Sequence, residues 1–379
     1  MNMKKKKLLL ISLAMVISLL LWGVGIGYAA ISGVCSNCHT MHNSQNNDGE
    51  VETYATGSLT TGVDTPQNQL LKASCIACHT GSTSATNSHD APIVIHTTDP
   101  VTQGAGKTLA GGDFRWVATG LGATDSKGHN VAGINSADVA IGTTPPGWDT
   151  TATPGALSDG SIAGGAAWGA NQLTCAGMYG CHGSHAYTDA DTAISGAHHG
   201  NTGGTSAQVS SAAIASSVGA SYRFLGGIWG LENSQWNWAE TASVHNEYCG
   251  VNGNTSYANK TTISYSCAQC HGIFHKTTGT PSPWTRHPTD ITLPSTGEYA
   301  SYTTYSVEAP VARSTVPATS SSTVTPSGTT NDIVTCISCH RAHGSPEPDL
   351  LRWTYSGMVA GTGTSDTGCF TCHTTKNAS

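Results

Sequence analysis

Cys-x-x-Cys-His occurs five times in this chain, as Cys35-Ser-Asn-Cys38-His39, Cys75-Ile-Ala-Cys78-His79, Cys267-Ala-Gln-Cys270-His271, Cys336-Ile-Ser-Cys339-His340 and Cys369-Phe-Thr-Cys372-His373. A sixth, stretched copy, Cys175-Ala-Gly-Met-Tyr-Gly-Cys181-His182, lies between the second and the third. This is the attachment signature of haem c: two thiols take up the vinyl groups as thioethers, and the next imidazole binds the iron from the same turn of chain. A single match arises by chance or as half of a zinc site. A set of this size, each closed by His, does not. Covalent macrocycles are the strongest constraint on the fold. They supply hydrophobic mass that the side chains lack, and each closes a loop of chain as a disulfide does.

Thirteen cysteines make six pairs and one remainder, Cys249. A disulfide framework gains nothing from a following His, and zinc sites take such pairs in twos, not each with its own His. The expected cofactors are therefore six haem c. Attachment is expected through Cys35, Cys38, Cys75, Cys78, Cys175, Cys181, Cys267, Cys270, Cys336, Cys339, Cys369 and Cys372, with His39, His79, His182, His271, His340 and His373 as proximal iron ligands. At the third site the three extra residues must loop out, and Gly177 and Gly180 make that bulge feasible.

The chain between the motifs predicts little regular structure. Apolar runs are brief, Gly or Pro interrupts most longer windows, and there are only four Phe. The expected fold class is mostly irregular coil with short helices and few short strands, organised around the haems. Single helical turns are expected after each motif, with loops over 80–174, 183–266 and 274–335. Residues 314–330 read as a flexible Ser/Thr/Pro-rich surface loop.

Lys4 to Lys7, an apolar stretch from Leu8, and Gly27-Tyr28-Ala29 read as a signal peptide over 1–29. A retained anchor is the alternative. Residues 30–379 are expected to form a single elongated unit, exported to the cell surface or beyond, with the periplasm as the alternative location. Removing the four leader lysines from 16 basic side chains leaves 12 against 23 acidic ones, a net of −11. Nucleic acid is excluded as a partner on that charge.

The second axial ligand decides function. Met41, Met178 and Met358 are too few to serve six irons, whereas eleven histidines lie beyond the proximal set. His42, His185, His275 and His343 each follow a proximal His by three or four residues. They lie on its side of the porphyrin, so each is expected to reach a neighbouring haem. His129, His287 and His96 complete the distal candidates, with His89 the rival of His96. His198, His199 and His245 read as surface residues.

The interleaved pieces point further. Cys35-Ser-Asn-Cys-His-Thr-Met-His-Asn-Ser44, Gly111-Gly-Asp-Phe-Arg-Trp-Val117, Lys127-Gly-His-Asn130, Asn171-Gln-Leu173, Tyr222-Arg-Phe-Leu-Gly-Gly227, Arg286-His-Pro288 and Cys336-Ile-Ser-Cys-His-Arg-Ala-His343 follow one another as in a known family. The chain resembles the outer-surface hexahaem cytochromes of the OmcS type, which polymerise into conductive filaments in metal-reducing bacteria. That resemblance implies bis-histidine haems in a continuous stacked chain, with His42 ligating the fifth haem of the next copy. It also implies upstream periplasmic or outer-membrane cytochromes as donors and a metal oxide or other extracellular acceptor. Two departures stand out: the expanded third site, and residues 250–266 inserted between Cys249 and the fourth site. The leading expectation is an extracellular electron conduit, not an enzyme. The alternatives are a monomeric electron shuttle with the same ligation and, further off, a multihaem reductase, which needs one haem with an open face.

Overall fold

The computed structural model describes residues 34–41, 51–55, 58–63, 68–82, 91–98, 109–121, 124–142, 144–149, 168–199, 208–209, 218–232, 241–253, 258–276, 286–328, 331–363 and 367–376. His42, His89 and the leader 1–29 lie outside them. The longest helix among the described residues is Ile263–Ala268, six residues capped by Thr262, whose hydroxyl accepts from the Tyr265 N–H. No described helix is long and apolar enough to cross a membrane.

Apart from the antiparallel hairpin Val51–Ala55 with Ser58–Val63, the described strands are two or three residues long. The fold is largely irregular, as the broken apolar pattern requires. The helical turns, however, fall on the attachment motifs and not after them. Cys35–Asn37, Cys336–Ser338 and Gly368–Thr371 are 3-10 turns, while Cys75–Cys78 is a turn of α-helix capped by Ser74. Among the described residues, only the fourth motif is directly followed by a helix of its own, Gly272–Lys276. The reason is local. Ser74, Thr262 and the Thr335–Ser338 capping box close the starts of three of these elements, and at each regular motif the His N–H closes back on the first Cys.

Apolar side chains gather in several small clusters beside the attachment sites. Ile95, Phe114, Val117, Val131 and Ile134 form one, with Ile76 and Cys175 at its edge. Leu293, Tyr302, Tyr305, Val311 and Val334 form another, against Cys372. Trp148 and Trp168 meet edge to face beside Cys270. Part of the inserted 250–266 segment enters a fourth cluster, where Ile263 and Tyr265 pack with Tyr222, Tyr248, Ala312 and Ile333. Cys249 is itself buried against Leu231 and Val316.

The segment 314–330 departs from the expected flexible loop over its described part. Val316 and Val324 are buried, and the Ser321 N–H donates to Glu247 at 2.6 Å. Glu247 is held in turn by Arg313 at 3.1 Å, and Arg313 also pairs with Asp332. Composition signals a loop here. It does not reveal a buried carboxylate elsewhere that recruits the loop's amide.

Candidate haem sites

At all five regular motifs the His backbone N–H donates to the carbonyl of the first Cys, at 2.9 Å for His39 and His271, 3.0 Å for His79 and His373, and 3.1 Å for His340. That single bond closes each motif into one turn and so keeps both thiols and the imidazole within a short stretch of chain, as haem c attachment demands. The third site reaches the same end with strands. Thr174–Ala176 and Gly180–His182 pair in parallel, Thr174 with Gly180 and Ala176 with His182, which sets Cys175 opposite Cys181. The intervening residues loop out as expected. Gly177 takes φ +93°, and a Cβ on Gly180 would stand 2.5 Å from the Ala176 carbonyl carbon, so both positions require glycine.

Each proximal imidazole has its Nδ1 engaged. Backbone carbonyls accept from His39 (Gln69, 3.0 Å), His79 (Pro92, 2.8 Å), His182 (Arg223, 2.8 Å), His271 (Pro146, 2.6 Å) and His340 (Asp349, 2.7 Å). His373 faces the Glu298 carboxylate at 3.1 Å. A carbonyl only accepts, so Nδ1 carries the proton at those five rings and Nε2 keeps a lone pair for a metal.

Three of these acceptors belong to one recurring device. Gln69-Leu70, Arg223-Phe224 and Asp349-Leu350 are consecutive residues at φ between +49° and +59°. In each pair the first carbonyl takes the proximal Nδ1–H. The second takes the N–H of the residue after that His: Thr40 to Leu70 at 2.7 Å, Gly183 to Phe224 at 2.8 Å and Arg341 to Leu350 at 2.8 Å. The device serves sites one, three and five and marks a two-site repeat along the chain. Its sequence trace is Gln69-Leu-Leu71, Arg223-Phe-Leu225 and Asp349-Leu-Leu351, each a polar residue before two large apolar ones.

The ring partners of the proximal histidines are equally regular. His39 faces His199 with centroids 6.0 Å apart, His79 faces His198 at 6.5 Å, and His182 faces His343 at 6.3 Å. His271 faces His129 at 6.1 Å, and His373 faces His287 at 6.2 Å. A metal-to-imidazole bond is about 2.0–2.1 Å and a ring nitrogen lies roughly 1.2 Å from its centroid, so two imidazoles on opposite sides of one ion would put their centroids roughly 6.5 Å apart. The residues therefore fit haem c in both respects, thiol placement and axial spacing. Desolvation by the surrounding chain pushes His198 and His271 down to about 4 and His343 down to about 3. Among the described residues no histidine ring faces His340.

Of the distal candidates, His129, His287 and His343 stand opposite proximal rings. His96, His185 and His275 each have one ring nitrogen in contact with a protein group. His96 Nδ1 contacts Asp113, which also accepts from the Arg115 N–H at 2.8 Å. His185 Nε2 donates to the Gly180 carbonyl at 2.9 Å, and His275 Nε2 lies 2.7 Å from Asp290. The rings opposite sites one and two are His199 and His198, which the sequence read as surface residues. His245, read the same way, is buried, stacked on Tyr305 at 3.6 Å with Nε2 3.1 Å from Glu247. The missed signal was the His-His dipeptide itself. Adjacent residues point apart, so one short segment offers a ring to each of two sites.

Successive sites lie side by side. The Cys75 and Cys175 thiols are close enough for their charges to interact, as are Cys181 and Cys270, and Cys267 hydrogen-bonds Cys336. Cys339 is likewise close to Cys369.

A doubled Cys-x-x-Cys-His family model matches residues 330–378, which hold the fifth and sixth sites. The C-type cytochrome OmcS of Geobacter sulfurreducens is 28% identical over 403 aligned positions, covering 92% of this chain and 85% of that protein. The chain is an OmcS-like c-type cytochrome. Two solved structures also align with 93% of it. The outer membrane cytochrome S filament of the same organism aligns at 19% identity over 93% of that chain, with a TM-score of 0.39. The OmcS nanowires seen by cryo-electron microscopy align at 18% identity over 92% of that chain, with a TM-score of 0.48.

Proposed function

We propose that this cytochrome carries electrons along six bis-histidine haems and is an electron carrier, not an enzyme. The observation that carries the reading is the set of five histidine ring pairs at 6.0–6.5 Å, one on each of five attachment sites. The haem supplies a one-electron ferric/ferrous couple. The chain's part is to hold each iron between two imidazoles, leaving no face for substrate, and to line the sites up in sequence order. The distal ligands in this reading are His199, His198, His343 and His129 for sites one to four and His287 for site six.

Site five draws its second ligand, His42, from a neighbouring copy. The resemblance to OmcS, which is known as filaments and nanowires, supports this. The cytochrome is thus read as an exported, self-assembling conduit at or beyond the cell surface, fed by upstream cytochromes and emptied into an extracellular acceptor. The intact mass of the secreted holoprotein and its ferric spin state test the core of this. Six covalent haems, all low-spin in native assemblies, are expected. Five haems with peptide 175–182 unmodified would refute the third site, and a high-spin haem in native assemblies would revive a reductase.

A further inference from the structure

Five of the six proximal rings give their Nδ1–H to a neutral carbonyl, whereas His373 is set against the carboxylate of Glu298 at 3.1 Å. The carboxylate is held for that contact. The Glu298 carbonyl accepts from the Thr374 N–H at 3.2 Å and from the Thr374 hydroxyl, which ties the two chain segments together beside the ring. The Tyr299 hydroxyl hydrogen-bonds the same carboxylate, and Lys376 Nζ lies 3.5 Å from its other oxygen. Glu298 is 17% exposed and Lys376 62%. The pairing with Lys376 is therefore open to solvent and weak, while the contact with His373 is better sheltered.

We propose that Glu298 is a positioning residue that sets the sixth haem at a lower potential than a carbonyl partner would give it. The proposal rests on His373 being an iron ligand, as read above. A carboxylate draws the Nδ1 proton more strongly than a carbonyl, so the ring becomes a more basic ligand. It also adds a negative charge close to the iron. Both effects favour the ferric over the ferrous state, so the one-electron couple at this site falls. Tyr299 and Lys376 oppose this, because each withdraws charge from the carboxylate that His373 addresses.

The test is a stepwise redox titration of the holoprotein, followed optically and by ferric electron paramagnetic resonance. Glu298→Gln keeps the size and an acceptor but removes the charge. It should leave six low-spin haems and move one couple of the six upward. Tyr299→Phe and Lys376→Gln should each move that same couple downward, the lysine effect fading at high salt. Opposite signs from neighbours of one carboxylate are not what loosened packing produces. The proposal is overturned if Glu298→Gln titrates as the wild type does, if its shift spreads over several haems, or if Tyr299→Phe shifts the same way. Should Glu298→Gln fail to fold, the sign of the Tyr299→Phe shift decides. A missing or high-spin sixth haem in the wild type would instead sink the ligand reading beneath it.

Discussion

A histidine whose Nδ1–H goes to a backbone carbonyl has one nitrogen left, so the hydrogen bond chooses the metal-binding atom before any metal arrives. The sequence exposes the proximal half of each site because attachment chemistry is local: two thiols and an imidazole must share one turn. The distal half is set by tertiary contacts. Spacing makes His96 and His275 candidates, and the structure sets Asp113 and Asp290 within reach of their rings. His198 and His199 carry no spacing signal, yet the structure sets both rings against proximal partners. Substitution separates the two sets. His198→Ala should retain six covalent haems by mass while one haem of six turns high-spin. His96→Ala should leave the spectrum low-spin and lower stability, since stripping Asp113 of a buried partner costs about 1–3 kcal/mol. A high-spin haem in His96→Ala, with none in His198→Ala, would reverse the assignment.

Short elements carry most of the positioning. The left-handed pairs serving sites one, three and five are held in a region that costs non-glycine residues roughly 1–2 kcal/mol each, and they persist because each supplies two carbonyls to one site. Asp349, exposed and at φ +58°, is the cleanest place to probe this. Asp349→Gly should change stability by no more than about 0.5 kcal/mol, because relief of the left-handed residue offsets the freer unfolded chain. Asp349→Pro cannot adopt that φ and should cost roughly 1–3 kcal/mol, with site five losing its fixed imidazole. Thermal unfolding of the holoprotein reads both.

The helix Ala190–Ala193 plays a similar part for the His198-His199 segment that follows it. Its cap, Asp189, accepts from the Thr192 N–H and hydroxyl and from Asn68 beside the first left-handed pair. The Thr192 hydrogen bonds hold the Asp189 carboxyl below its usual range. Its contribution is therefore present above the ordinary aspartate value of about 3.9 and is lost as pH falls through the lower folded value. Asp189→Ala should cost about 0.5–1 kcal/mol near neutrality, at the low end for an exposed cap. The gap to wild type should close as the solution is acidified. A gap that widens in acid would rule out the cap as its source.

At the scale of the whole molecule, the composition announced a thin core, and the several small clusters beside attachment cysteines bear that reading out. His340 is the proximal ring that no described histidine ring faces. The proposal above gives it His42 of the next copy, on the resemblance of Cys35-Ser-Asn-Cys-His-Thr-Met-His-Asn-Ser44 to the filament-forming family. If so, one coordination bond both fills an axial position and seals the junction between copies. His42→Ala should then keep all six haems, because attachment needs only the Cys and proximal His residues. One haem per protomer should become five-coordinate and high-spin, and electron microscopy should find filaments lost or far fewer. Wild-type filaments with a fully low-spin spectrum from this variant would remove His42 from the junction. A wild type that is itself a low-spin monomer would place His42 within its own chain and leave a soluble shuttle as the better account.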